Sequence, residues 1–158
     1  MIIAFQQTTI GRVAVTECCG AITNLCFATE TLPQQAEIGE TELIREAFRQ
    51  LDAYLAGELR LFSLPLAPLG TPFMQRVWQI LSTIPYGTTL TYRDIAVAVG
   101  NPFAARAVGM ANNRNPVPIF IPCHRVIGSS GALTGYRGGL AIKKRLLELE
   151  RRTLGYKI

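Results

Sequence analysis

The segment FSLPLAPLGTP, residues 62–72, does most to limit what this chain can fold into. Pro65, Pro68 and Pro72 surround Gly70, and no helix or strand runs through such a stretch. The 158 residues therefore split into pieces of modest size. We expect an N-terminal domain over residues 1–62, a proline-rich linker over 63–70 and a C-terminal domain over 71–158. The linker's leucines suggest that it lies against a surface. Charge divides at the same place. Residues 1–62 hold four basic side chains (Arg12, Arg45, Arg49, Arg60) against eight acidic ones, a balance of −4. Residues 63–158 hold twelve against three, a balance of +9. Such segregation fits a scaffold joined to a module that meets a polyanion, or merely a basic soluble surface.

The first module reads as antiparallel strands plus one helix. GRVAVTE alternates at Val13 and Val15, and AITNLCF follows it. ETELIREAFRQLDAYLAG then places Leu43, Ile44, Ala47, Phe48, Leu51 and Leu55 on a helical stripe that stops at Gly57. The second module reads as mainly helical. Thr71 caps a helix with Pro72 at its first position. TYRD is a capping box in which Thr91 caps and Asp94 answers three residues on. The helix from Tyr92 ends at Gly100, and Asn101-Pro102 is expected to restart a helix at once, over 102–112. Two short helices joined by a tight turn fit a winged-helix-like helix-turn-helix or an ordinary helical corner. The basic charge favours the first. The second helix is rich in alanine and glycine, with Arg106 the one long residue, and can approach a partner closely. The fold class is thus α/β: a small α/β domain followed by a helical one.

About half of the residues, 49%, are apolar, which excludes a disordered chain. No apolar run reaches the ~20 residues of a membrane span. The N-terminus lacks the pattern of a signal peptide. These features lead us to expect a cytoplasmic protein with no membrane partner. The four cysteines, Cys18, Cys19, Cys26 and Cys123, do not form a disulfide framework. No C-x-x-C pair occurs, and the single histidine, His124, is far from the first three, so no metal is expected.

The run PVPIFIPCHRVIG sets Cys123 beside His124. An imidazole can take a thiol's proton and hold the thiolate. In an extended strand the two side chains would face opposite ways, so the backbone turns there or a water joins them. The imidazole also needs an orienting partner. Asp94 is occupied as a cap. Glu148 is surrounded at its helical neighbours by Lys144, Arg145, Arg151 and Arg152. Glu150 instead neighbours Leu146, Leu147, Thr153 and Leu154 on the apolar side, where it pairs with His124 or reaches water. GSSGALTGYRGG, after the PCHR run, is a glycine-rich loop sized to cover or line a pocket.

NPVPIFIPCHRVIGSSGALTGYRGGLAIKKRLLELE, with YGTTLTYRDIAVAVGNPFAARAVG upstream, resembles the active-site segment of O6-alkylguanine-DNA alkyltransferases. The resemblance covers residues 71–150, and the PCHRV core is specific to that family. It implies irreversible alkyl transfer from O6-alkylguanine, with O4-alkylthymine as a second substrate, in double-stranded DNA to Cys123. Each molecule would react once, as a monomer and with no cofactor. His124 would take the thiol proton through a water, Glu150 would orient His124, Asn115 would fix the turn presenting Cys123, and Tyr92 would assist the leaving guanine. Val126 and the backbone near Arg137 would read the base edge, with Tyr136 and Pro118 walling the pocket. Arg106 would fill the gap left by the flipped base. Arg93, Asn101, Ala104, Ala105 and Ser129 would meet DNA. The N-terminal zinc ligands of some members cannot be assembled here. A non-repairing relative would lack Cys123, a plain helix-turn-helix regulator would not need PCHRV, and a cysteine hydrolase would need an oxyanion hole.

Overall fold

Alternation at Val13 and Val15 becomes the middle of a four-stranded sheet of order β3-β2-β1-β4. Its strands are β1 (Ile2–Thr8), β2 (Gly11–Cys18), β3 (Ala21–Phe27) and the short β4 (Glu37–Ile38). β1 and β3 pair antiparallel with β2, and β4 pairs parallel with β1. Val13, Ala14, Val15 and Thr16 are all buried, so β2 is covered on both faces. Helix α1 (Glu42–Leu55) packs on this sheet through Ile44, Ala47, Phe48, Leu51 and Tyr54. Thr41 caps it by accepting from the Ile44 N–H at 3.1 Å. Gly57, at φ 77°, ends it with Glu58 N–H donating to the Ala53 carbonyl at 2.8 Å.

The computed structural model describes residues 1–155. It divides into two units, Met1–Leu69 and Gly70–Ile158. Residues 156–158, the end of the expected second domain, lie outside the described residues. The proline-rich stretch up to Leu69 is tied into the first unit. Ile22 N–H donates to the Pro65 carbonyl and Ala67 N–H to the Ile22 carbonyl, both at 2.8 Å. Gln50, buried, also holds Ser63 by accepting from its N–H at 2.9 Å.

In the second unit, α2 (Pro72–Leu81) begins at the Thr71 cap and buries Val77, Trp78 and Leu81. The Trp78 indole donates to the Ala111 carbonyl at 2.8 Å and so ties α2 to α4 (Ala105–Asn113). α3 (Tyr92–Ala98) carries both bonds of the capping box, Asp94 N–H to Thr91 Oγ1 at 3.1 Å and Thr91 N–H to Asp94 Oδ2 at 2.8 Å. Two-residue strands β5 (Leu90–Thr91) and β6 (Val126–Ile127) pair in parallel. α5 (Leu140–Thr153) closes the unit.

One expectation changes, and one open alternative is decided. The helix after Gly100 does not restart at Pro102. The Asn101 side chain accepts from the Phe103 N–H at 3.0 Å, and this local turn delays α4 to Ala105. The run before Cys123 does not continue as a strand. Ile119 adopts φ 74°, Ile121 N–H donates to the Val117 carbonyl at 3.0 Å, and residues Cys123–Arg125 form a 3₁₀ turn. The backbone therefore does turn at the thiol.

Because the Thr91 box sets the start of α3, and hence the place of Tyr92, Thr91→Ala should cost about 1 kcal/mol. Urea denaturation should show a lower midpoint with an unchanged slope.

Candidate active site

The 3₁₀ turn buries Cys123, His124 and Arg125 together. His124 and Glu150 are each 0% exposed. α5 presents Lys143, Leu146, Leu147 and Glu150 as its buried stripe, which is how a carboxylate reaches the interior. His124 Nε2 lies 2.6 Å from Glu150 Oε2. Arg125 forks onto the same carboxylate, with Nε donating to Oε1 at 2.9 Å and Nη2 to Oε2 at 3.0 Å. The Gly87 N–H donates to Oε1 at 2.9 Å. The remaining arm of Arg125 donates to the Ile84 carbonyl at 2.7 Å, and its guanidinium lies 5.5 Å from the Tyr86 ring centre.

Burial and these contacts together set the protonation states. Burial pushes the Glu150 carboxyl up, but the hydrogen bonds and charge of His124 and Arg125 overcome it and hold the acid well below the usual range. Burial lowers the His124 pKa against the pull of Glu150, so the imidazole is neutral at pH 7 and can accept a proton. Burial raises the Cys123 thiol, opposed by its hydrogen bond to Asn115 and by the charges of Lys143 and Arg137. The resting sulfur is a thiol.

Asn115, fully buried, fixes the turn before Cys123. Its Nδ2 donates to the Ile121 carbonyl at 3.0 Å, and its Oδ1 accepts from the Val117 N–H at 3.1 Å. Pro118, buried, bridges to Ile121 in the same turn. Arg137 donates from Nη1 to the Asn115 carbonyl at 2.5 Å, so its side chain ties the loop before α5 to the turn that Asn115 fixes. Tyr136 is buried in the loop before α5. The Val126 carbonyl accepts from Lys143 Nζ at 2.7 Å, and the same ammonium donates to the Thr134 carbonyl at 2.9 Å.

Tyr92 meets that loop from the other side. Its hydroxyl donates to the Thr134 carbonyl at 3.2 Å and accepts from Thr134 Oγ1 at 3.0 Å. Tyr92, Arg93, Ala105, Arg106, Gly109, Gly128, Ser129 and Thr134 line an open cavity of about 440 Å³. The structure thus brings most of the expected DNA contacts to one place. Asn101 is instead spent on its turn, and Ala104 is the uncapped residue before α4. Cys123, 4% exposed, does not line the cavity. Thr134 is shared by the cavity wall, Tyr92 and Lys143.

Sequence reasoning missed Arg125, Lys143 and Phe103. Arg125 was signalled only by its place after His124. Lys143 stands seven residues before Glu150, two helical turns along the same face. Phe103 is 94% exposed, an aromatic side chain offered to solvent by the Asn101 turn. Among the described residues no group of three or more His, Cys, Asp or Glu converges as metal ligands would, and no helix is long and apolar enough to cross a membrane.

A helix-turn-helix joined to a buried thiol, imidazole and carboxylate defines a class in which a nucleophile works behind a docking surface. Comparison with known proteins makes the class specific. Residues 72–152 match the family described as 6-O-methylguanine DNA methyltransferase, DNA binding domain, and residues 1–68 its ribonuclease-like domain. The chain is 50% identical over 152 residues to the constitutive methylated-DNA–protein-cysteine methyltransferase of Bacillus subtilis, covering 92% of each. It is 62% identical over 109 residues to the methylated-DNA–protein-cysteine methyltransferase of Methanosarcina acetivorans, covering 69% of this chain and 70% of that one. The crystal structure of Mycobacterium tuberculosis OGT in complex with DNA superposes with a TM-score of 0.92 at 44% identity, over 97% of this chain and 94% of that one. The chain belongs to the 6-O-methylguanine DNA methyltransferase family.

The buried pair makes stability acid-sensitive. Both groups have lowered folded-state pKa values, so on acidification the unfolded chain binds more protons than the folded one. The His124 contribution is complete above about pH 6.5 and the Glu150 contribution above about pH 4.3, and each is lost as pH falls below that point. Thermal melts from pH 7.5 to pH 4 should show a continuous fall in Tm. Glu150→Gln, which leaves Arg125 buried without its charged partner, should cost about 3–5 kcal/mol at pH 7, measured by urea denaturation.

Proposed function

We propose that this chain repairs O6-alkylguanine in duplex DNA by moving the alkyl group onto Cys123, one transfer per molecule. The carrying observation is the buried Cys123–His124 turn with His124 Nε2 at 2.6 Å from Glu150. In the proposed reaction the thiol proton passes through a water to the other ring nitrogen of His124. Glu150, fixed by Arg125 and Gly87, stabilises the imidazolium that forms. The sulfur attacks the alkyl carbon, an S–C bond forms and the C–O bond breaks. The electron pair of that bond goes to the guanine, where the Tyr92 hydroxyl supplies a proton or hydrogen bond to the developing charge. The resulting thioether has no base or nucleophile to reverse it. O4-alkylthymine presents the same alkyl C–O bond and is the second substrate of this reading.

DNA is the partner. A stacked base cannot reach a buried sulfur, so the damaged nucleotide leaves the duplex at a cost of a few kcal/mol. α4 enters the minor groove, with Ala105 and Gly109 allowing close approach and Arg106 occupying the vacated space. Arg93 and Ser129 hold the backbone nearby, and Phe103 wedges against the sugar–base edge beside Arg106. For the base to meet Cys123, the Tyr92–Thr134 contact opens, which releases the Tyr92 hydroxyl for the purine. Val126, Tyr136, Pro118 and the backbone near Arg137 then form the base site. Residues 1–62 act as scaffold and 71–158 as the DNA-binding alkyltransferase domain. None of the four cysteines is disulfide-bonded, which suits a reducing, cytoplasmic setting.

Incubation with duplex DNA carrying labelled methyl at guanine O6, followed by digestion, should add one methylene equivalent to the Cys123 peptide, with one methyl per protein at saturation. Label left on DNA, or released in repeated turnovers, would overturn the proposal. Cys123→Ala should abolish transfer and keep DNA affinity in a gel-shift titration. Arg106→Ala and Phe103→Ala should each slow repair in duplex DNA by about tenfold or more, while leaving the reaction with free O6-benzylguanine within about twofold, since only the duplex requires extrusion.

A further inference from the structure

The hairpin between β2 and β3 carries adjacent thiols that the repair chemistry does not use. Neighbouring side chains on an extended strand face opposite ways. Cys18 and Cys19 escape that rule. Cys18 ends β2, and Cys19 and Gly20 form a two-residue turn at φ 54° and φ 80°. Positive φ at both positions is the mark of a tight hairpin turn, where asparagine and glycine are usual and cysteine is not. This left-handed backbone swings Cys19 round until its sulfur lies 3.5 Å from that of Cys18. Cys19 is exposed and Cys18 half-exposed.

We propose that Cys18 and Cys19 form a two-thiol site for a soft, thiophilic centre of the monosubstituted arsenic(III) class. Direct closure to a disulfide is disfavoured, because one trans peptide holds the two Cα atoms at about 3.8 Å, inside the usual lower limit of about 4.4 Å. A bridging atom removes that strain. At a thiolate bond length of about 2.3 Å, sulfurs at the observed separation meet a common centre at an angle of about 100°, near that of a pyramidal centre. Donor count points the same way. Among the described residues no third or fourth ligand of the kind a zinc site needs gathers with them. An arsenical R–As=O needs only two thiols, and soft thiolates prefer such a centre. The two S–H bonds and the As=O bond break, two As–S bonds form, and both protons leave with the oxygen as one water. No electrons are transferred. The proximity shows in the protonation of the pair: the hydrogen bond to Cys18, then its charge, pushes the Cys19 thiol up. Cys123, buried at 4% exposure, does not compete at the surface.

The test uses the full chain, reduced, and phenylarsine oxide as the probe. Intact mass spectrometry after desalting should show one retained adduct per protein, removed by a small dithiol. Cys18→Ser and Cys19→Ser should each lose the adduct, with circular dichroism confirming that the exposed Cys19→Ser variant folds. Cys123→Ser should keep it. In the unaltered protein, preloading should protect the peptide holding Cys18 and Cys19 from iodoacetamide. The loaded protein should still accept the benzyl group from O6-benzylguanine on Cys123, which tests the repair proposal separately. An adduct that survives loss of both hairpin thiols, or that disappears in Cys123→Ser, would overturn the site.

Discussion

One buried carboxylate organises the second unit. Glu150 receives the His124 ring, both arms of the Arg125 fork and the Gly87 amide. The donors come from the turn holding Cys123 and from the segment before β5, so the carboxylate, itself on α5, fixes three pieces of chain at one point. A buried charge is tolerable only when its hydrogen-bonding capacity is filled, and here Arg125 balances the charge while His124 and Gly87 fill the rest. The same contacts orient His124, while burial keeps its ring neutral against the pull of Glu150. Folding and the orientation of the imidazole therefore rest on a single set of bonds.

The space around this point explains why Gly87 is glycine. Its φ is 77°, and a Cβ there would lie 2.0 Å from Leu154 Cδ1. Its amide must also face Oε1 of Glu150. Both demands, a left-handed backbone and a close approach to α5, are met by a residue without a side chain.

Much of this was legible in the residues themselves. The Thr91 box, the Gly57 stop and the placement of Glu150 on the apolar side of α5 follow from local hydrogen-bond chemistry and helical spacing, which act over a few residues. What stayed hidden depends on contacts distant in sequence or on competition within a turn. Arg125 follows His124, yet nothing local says that it folds back onto the same carboxylate. Lys143 sits among charged neighbours and resembles a solvated residue until two carbonyls are found beside it. Pro102 reads as a helix start, but the Asn101 side chain takes the Phe103 amide first and moves the start of α4 to Ala105. The Tyr92–Thr134 contact joins residues 42 positions apart through a glycine-rich loop that has no period to read.

The ammonium of Lys143 is shared between carbonyls on two segments, Val126 in β6 and Thr134 in the loop. It works as a rivet. Pulling Thr134 outward would leave a buried cation with one of these two carbonyls, and that cost holds the loop in place. Any group that displaces Thr134 offsets the cost by bringing an oxygen or nitrogen acceptor of its own to the ammonium.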